Sequence, residues 1–380
     1  MPVALINGRV LLEGGFADDV AVLLDAGRIA AIMPHNDARV RAAEPFDLEG
    51  GTLAPGFIDC QVNGGGGVLF NDSPRVDAIA TIARAHRRFG STGMLPTLIS
   101  DDFEVMHRAA SAAAEAIRSG VPGVLGIHLE GPFLSPQRKG IHDAVHFRVP
   151  DERDLALFSA ADIGKVLVTL APEQVAPAAL GHLIACGAIV AAGHTAATYE
   201  QARAALDAGL RGFTHLYNAM SPLTGRAPGV VGAALEDRDS WCGVIVDGHH
   251  VHPAAVRVAL AVKPRGKVFL VTDAMPPVGA HNPTFELNGE TITCRDGLCT
   301  NAHGVLAGSA LDMASAVRNS VRLLQVPLDE ALRMASTYPA EFLGITDRGR
   351  IGAGKVADLV LFDADVQVRA TWIGGTLERC

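Results

Sequence analysis

Eight short and almost wholly apolar runs dominate the chain from Pro55 onward: Gly56–Asn63, Thr92–Ile99, Gly123–Gly131, Lys165–Pro172, Gly187–Thr195, Gly212–Ala219, Trp241–Gly248 and Lys267–Ala274. Runs without polar alternation are what parallel strands covered on both faces require, because neither face meets water. Amphipathic, mostly Ala-rich stretches lie between or after most of them: Asp77–Phe89, Phe103–Ser119, Glu173–Ala185, Thr198–Ala208, Pro253–Val262 and Leu311–Leu324. Eight such alternations over about 250 residues predict an α/β protein built on a (β/α)8 TIM barrel rather than an open doubly wound sheet. No GxGxxG opens a helix after the first run, so a dinucleotide site loses its main support.

The flanks read differently. Residues 1–54 hold short extended runs (Val3–Ile6, Val20–Leu24, Arg28–Ile32) broken by Asn7-Gly8, Gly14-Gly15 and Asp25–Gly27, the punctuation of hairpins. Residues 345–380 return to short strands separated by glycines. Together the two ends are expected to form a small β-sandwich domain, with the barrel of residues 55–344 inserted into it and a β excursion at 284–300.

Composition excludes several classes. With 49% hydrophobic and 19% charged residues the chain can bury a large core, which rules out disorder. Its 32 Lys and Arg against 41 Asp and Glu leave a formal charge of −9 without a basic block, so general nucleic-acid binding is excluded. The start MPVALINGRVLLEGG has no signal-peptide pattern, and no apolar run reaches membrane-spanning length. The six cysteines contain no CxxC pair and are expected to be free thiols, as in a reducing cytoplasm.

Working groups of such barrels project from the C-terminal strand ends. There the chain carries Glu130, His194, His215 and Asp273. One carboxylate and two imidazoles make the ligand type that leaves zinc an open position for water, and Asp273 offers a general base. His128 shares the barrel-facing side with Glu130 and is expected to support it or to join a core polar network rather than to ligate. Ser309–Asp312 reads as a helix capping box.

Pro55-Gly56-Phe57-Ile58-Asp59 and the block Gly349–Val360 resemble the framework of the amidohydrolase superfamily. Gln61-Val62-Asn63-Gly64, His128–Phe133, Lys139–His142, Gly193–Thr195, His215–Met220, Asp247–His250 and Thr272–Ala274 resemble, within it, the N-acetylglucosamine-6-phosphate deacetylase family. The resemblance implies hydrolysis of an acetamide on a sugar phosphate, with Glu130, His194 and His215 as metal ligands and Asp273 as acid and base. It further implies that His142 contacts the acetamide carbonyl, that Asn218 and Ala219 form the sugar-phosphate binding turn, that Leu306, Ala307 and Gly308 line the sugar, and that His250 approaches the phosphate. Arg226 matches an arginine that reaches the phosphate from a neighbouring subunit, so a homodimer is expected. Where many superfamily members carry His-x-His on strand one, this chain has Gln61 and Asn63, poor ligands for a transition metal, so one divalent ion is expected, zinc first and Fe(II) second. Two other readings stand beside this one: an amidohydrolase acting on another N-acyl amino sugar or a cyclic amide, and a barrel that senses a sugar phosphate without catalysis.

Overall fold

A computed structural model describes residues 1–158 and 163–380. Eight parallel strands form the barrel: β1 (Phe57–Val62), β2 (Ser91–Ile99), β3 (Gly126–Glu130), β4 (Lys165–Leu170), β5 (Ile189–Ala192), β6 (Gly212–Phe213), β7 (Trp241–Val244) and β8 (Val268–Leu270). They pair in sequence order, β1 to β2 through β7 to β8, and each falls inside one of the eight apolar runs except β2, which begins one residue earlier at Ser91. Every residue of β1, β2 and β3 is buried, which is why these strands lack polar alternation.

Helices cover the barrel where the apolar period changes to that of a helix. Phe103–Arg118 buries Ala109, Ala110, Ala112, Ala113 and Ala116 against the strands, small residues that let helix and sheet approach closely. Tyr199–Asp207 begins at a reciprocal capping box between Thr198 and Gln201. The box expected at Ser309–Asp312 does not form. Asp312 itself caps Met313–Leu324 by accepting from the Ser315 N–H, while the Ser309 hydroxyl donates to the Thr272 carbonyl beside the barrel seam. Gly229–Glu236 is a helix that its Gly-containing, almost wholly apolar sequence did not mark by period.

The seam between β8 and β1 is closed by individual contacts. Val62 bridges Ala274, the Asp273 N–H donates to the Gln61 carbonyl (3.0 Å), and the Asn63 N–H donates to the Ala274 carbonyl (2.9 Å). Asp59, wholly buried on β1, completes the closure: Oδ2 accepts from the Thr272 hydroxyl (2.5 Å), and Oδ1 accepts from the N–H groups of Gln61 (3.2 Å) and Thr272 (3.3 Å). Burial pushes its carboxyl up to about 7 from 3.8, against these hydrogen bonds. A carboxyl that is raised on folding stabilises the native state fully below its unfolded pKa, and that contribution is lost as pH rises toward 7. The Asp59→Asn variant keeps the Oδ1 acceptor and offers an Nδ2 donor to the Thr272 hydroxyl oxygen. It is therefore expected to fold and to show a flatter dependence of melting temperature on pH between about 4 and 7. An unchanged slope would remove this assignment.

Two further sheets come from the chain ends. One has the order Arg28–Pro34, Val20–Asp25, Val3–Ile6, Glu44–Asp47, and the other has Thr376–Arg379, Val368–Ile373, Leu359–Phe362, Thr52–Pro55, Arg9–Leu12, Gly15–Ala17. Leu359–Phe362 pairs with Thr52–Pro55, so the two ends share one sheet. Leu5, Val22, Leu53, Leu361 and Trp372 pack between the sheets as a core of their own.

Past β8 a four-stranded antiparallel sheet covers the mouth of the barrel: β9 (Thr284–Leu287), β10 (Glu290–Arg295), β11 (Leu298–Thr300) and β12 (Leu306–Ser309). It extends beyond the expected excursion, because β12 leads back to the seam at Thr272 and Asp273. Here the free-thiol expectation fails. The turn Asp296-Gly297, both residues at positive φ, sets Cys294 directly opposite Cys299, and the two form a disulfide. A CxxxxC spacing holds no helical or zinc pattern, but a two-residue hairpin turn makes it a cross-strand pair. Cysteine usage therefore carries no argument about compartment. Among the described residues no helix is long and apolar enough to cross a membrane.

Candidate active site

Glu130 is the last residue of β3, whereas His194, His215 and Asp273 stand two to three residues beyond β5, β6 and β8. The last three have φ of 48°, 33° and 53°, a region that side chains with a Cβ occupy at a cost, and Tyr217 and Ala219 share it. At each of these strand ends the backbone turns sharply, and the side chain projects into the mouth instead of continuing the strand.

The side chains converge. His194 Nε2 lies 3.0 Å and His215 Nε2 2.9 Å from Glu130 Oε1, and the two nitrogens are 3.1 Å apart. All three residues are buried. His194 Nδ1 donates to the Arg138 carbonyl (2.9 Å), so its Nε2 carries the lone pair that faces His215 and Glu130. Two imidazole nitrogens and a carboxylate oxygen this close suit a divalent cation, and the His2Glu donor set is one zinc accepts.

Asp273 sits beside this triad. Burial, followed by the Glu130 charge, pushes its carboxyl up to about 6. Gln61 and Asn63, read from sequence only as poor metal ligands, have a different task. Asn63 Nδ2 donates to Asp273 Oδ1 (2.6 Å), while Gln61 Nε2 donates to Asp273 Oδ1 (3.1 Å) and Glu130 Oε2 (3.0 Å). The amides hold one oxygen of Asp273 and leave the other without these bonds. The signal was present in the sequence, since an amide at a strand end can donate to a carboxylate on a neighbouring strand end; the partner was not. His128 lies deeper, between the hydroxyls of Thr97 (3.1 Å) and Thr169 (2.8 Å).

A cavity of about 390 Å³ opens over these groups. Its lining includes Glu130, His142, His194, His215, Asn218, Ala219, His250, Asp273, Leu306 and Gly308, with the sheet β9–β12 on one side. His142 is buried, with Nε2 4.0 Å from Glu130 Oε1, and burial followed by the nearby His194 holds its pKa well below the usual value, so the ring is neutral. His250 Nδ1 faces Asp247 Oδ2 (2.6 Å). Two expected substrate contacts do not line the cavity. Ala307 is fully buried with Leu287 and Ile292 in the core of the covering sheet, because side chains alternate along β12 and only its neighbours face the mouth. Arg226 lies exposed on the Ser221–Pro228 loop. Two other cavities, of about 290 and 380 Å³, share Arg265, Gly266 and Tyr338 and hold no comparable ligand set among the described residues.

Comparison with known proteins identifies the family. Residues 52–377 match the amidohydrolase family. The chain is 45% identical over 374 residues to an N-acetylgalactosamine-6-phosphate deacetylase from Shewanella sp. (strain ANA-3), covering 98% of this chain and 94% of that one. It superposes on the crystal structure of an N-acetylglucosamine-6-phosphate deacetylase from Pasteurella multocida with a TM-score of 0.96 at 36% identity, over 100% of both chains. A mutant of the Mycobacterium smegmatis N-acetyl-D-glucosamine-6-phosphate deacetylase, in complex with N-acetyl-D-glucosamine-6-phosphate, matches at a TM-score of 0.90 and 34% identity, over 99% of this chain and 98% of that one.

Proposed function

The chain belongs to the amidohydrolase family, and from that premise we propose that it hydrolyses the acetamide of N-acetyl-D-glucosamine 6-phosphate to D-glucosamine 6-phosphate and acetate. The observation that carries this reading is the meeting of Glu130, His194 and His215 with Asp273 at one end of a cavity of about 390 Å³. A pure sensor needs no proton-transfer group beside a ligand set, and Asp273 is one.

Glu130, His194 and His215 would hold one divalent ion, zinc first and Fe(II) second by donor type. Bound there, such an ion supplies a Lewis acid and lowers the pKa of a neighbouring water toward about 7. Asp273 takes the proton of the attacking water as its oxygen adds to the acetamide carbon. The Nε2–H of His142 donates to the acetamide oxygen as negative charge develops on it. Asp273 then gives its proton to the departing nitrogen, which leaves as a neutral amine. Asn218, Ala219, Leu306 and Gly308 line the cavity where the sugar would lie.

The phosphate end argues for a second subunit. Among the described residues no lysine or arginine lines the cavity, and His250 is its one basic group outside the set around Glu130. A dianion needs more than that. Arg226, exposed on its loop, would supply the missing charge to the neighbouring subunit of a homodimer. The Arg226→Ala variant is expected to raise KM at least tenfold with little change in kcat. Mixing it with the Asp273→Asn variant should restore low-KM turnover, because a hybrid dimer pairs an intact catalytic group with an intact arginine. Two variants that stay additive on mixing would place the phosphate contact within one chain.

The 45% identity to an N-acetylgalactosamine-6-phosphate deacetylase favours a second reading, in which the 4-epimer is the better substrate. Acetate release from the two epimers, with and without the 6-phosphate, tests both. Absence of turnover on all phosphorylated forms would end the deacetylase reading.

A further inference from the structure

Ser100 is the first residue past β2, buried at the mouth of the barrel and absent from the cavity lining. Both of its polar groups meet the same atom. The backbone N–H points at His142 Nδ1 at 3.3 Å, and the hydroxyl oxygen lies 2.8 Å from that nitrogen. A backbone N–H can only donate, so Nδ1 accepts. A proton on Nδ1, in the other neutral tautomer or in the imidazolium, would set donor against donor. The proton of the neutral ring is thereby confined to Nε2, the nitrogen on the side of Glu130 and the cavity.

The surroundings are shaped to this contact. The serine hydroxyl has one other acceptor in reach, the Glu130 carbonyl at 3.4 Å, and the shorter bond is the one to Nδ1. Gly131, which follows the ligand Glu130, leaves room for it: a Cβ there would lie 2.2 Å from Ser100 Oγ. The glycine thus stands where a side chain would displace the hydroxyl. The backbone of His142 is held separately, its N–H donating to the Lys139 carbonyl at 3.1 Å, so the ring plane and tautomer are what Ser100 adds.

We propose that Ser100 is a positioning residue for the reaction: through its N–H and hydroxyl it locks His142 in the Nε2–H tautomer and aims that donor at the substrate carbonyl. The inference rests on the deacetylase reading, in which His142 donates to the acetamide oxygen. A donor aimed where charge develops acts on the transition state more than on the bound substrate, so its misalignment lowers kcat and leaves KM nearly unchanged.

The test is a set of kinetic measurements on the metal-loaded enzyme. Ser100→Ala keeps the backbone N–H bond and loses the hydroxyl; kcat is expected to fall about tenfold with KM within about twofold of wild type. Ser100→Thr, which retains the hydroxyl, should recover most of the loss. In a His142→Ala background the Ser100→Ala change should have no further effect, because the group it positions is gone. Wild-type kcat in Ser100→Ala, or the same tenfold loss with His142 absent, overturns the proposal. Should the Ser100 variants fail to fold, nitrogen-15 spectra of histidine-labelled, zinc-loaded wild type decide it, the His142 signals being assigned by their absence in His142→Ala. Unprotonated Nδ1 supports the proposal and protonated Nδ1 refutes it. Failure of the deacetylase reading would look different, since wild-type enzyme would then release no acetate from either epimer.

Discussion

The Asp273→Asn variant is expected to lose about 10²–10⁴-fold in kcat while binding substrate as the parent does. The size follows from the two duties of one group. Asp273 must accept a proton as water adds and return it as the amine leaves, and an amide can do neither. Its environment suits both duties: burial and the Glu130 charge push the carboxyl up to about 6, close enough to neutrality that both forms are within reach. The substitution is mild for packing. The oxygen held by Asn63 (2.6 Å) and Gln61 (3.1 Å) is retained in asparagine, and only the other oxygen is exchanged for nitrogen. Removing a buried charge beside Glu130 should leave the melting temperature unchanged or raise it, as substitutions at strained sites often do. Calorimetric titration with substrate, single-turnover acetate release and thermal unfolding together check this. Near-normal turnover would dismiss Asp273 as the proton-transfer group.

Removal of the divalent ion is expected to have an effect at least as large. Dialysis against a strong chelator should abolish acetate release, and one equivalent of zinc or Fe(II) per subunit should restore it. Stability should move with activity, because an ion that binds only the folded chain stabilises it in proportion to RT ln(1 + [L]/Kd). The physical ground is the crowding of His194 Nε2, His215 Nε2 and Glu130 Oε1, each within about 3 Å of the others, since lone pairs so placed repel unless a cation lies among them. Glu130→Gln, which removes the negative charge and keeps the shape, should lower metal content and turnover together. Full activity at less than a tenth of an equivalent of metal would exclude metal-assisted chemistry.

The barrel was legible because its strands are buried on both faces, and burial writes itself into composition residue by residue. Glu130, His194, His215 and Asp273 were legible for the converse reason: polar side chains at the ends of apolar strands are costly to bury alone and must find partners. The misreadings share a cause. The capping box at Ser309 was a sound local pattern, yet the Ser309 hydroxyl is taken by the Thr272 carbonyl beside the seam. Cys294 and Cys299 carry no spacing motif, yet a two-residue turn sets them face to face.

What the sequence by itself determined is the period of each segment and the chemical type of residue at each strand end, since both depend on neighbours a few positions away. Which atoms meet was decided only by the tertiary structure. Closure of the barrel brings Gln61 onto Asp273 across 212 positions of chain, and the strand ends bring His142 onto Ser100 across 42. Hydrogen bonds act over about 3 Å, a distance that the chain's local geometry does not set between residues so far apart in sequence. The roles of Gln61, Asn63 and Ser100 therefore depend on closure of the barrel.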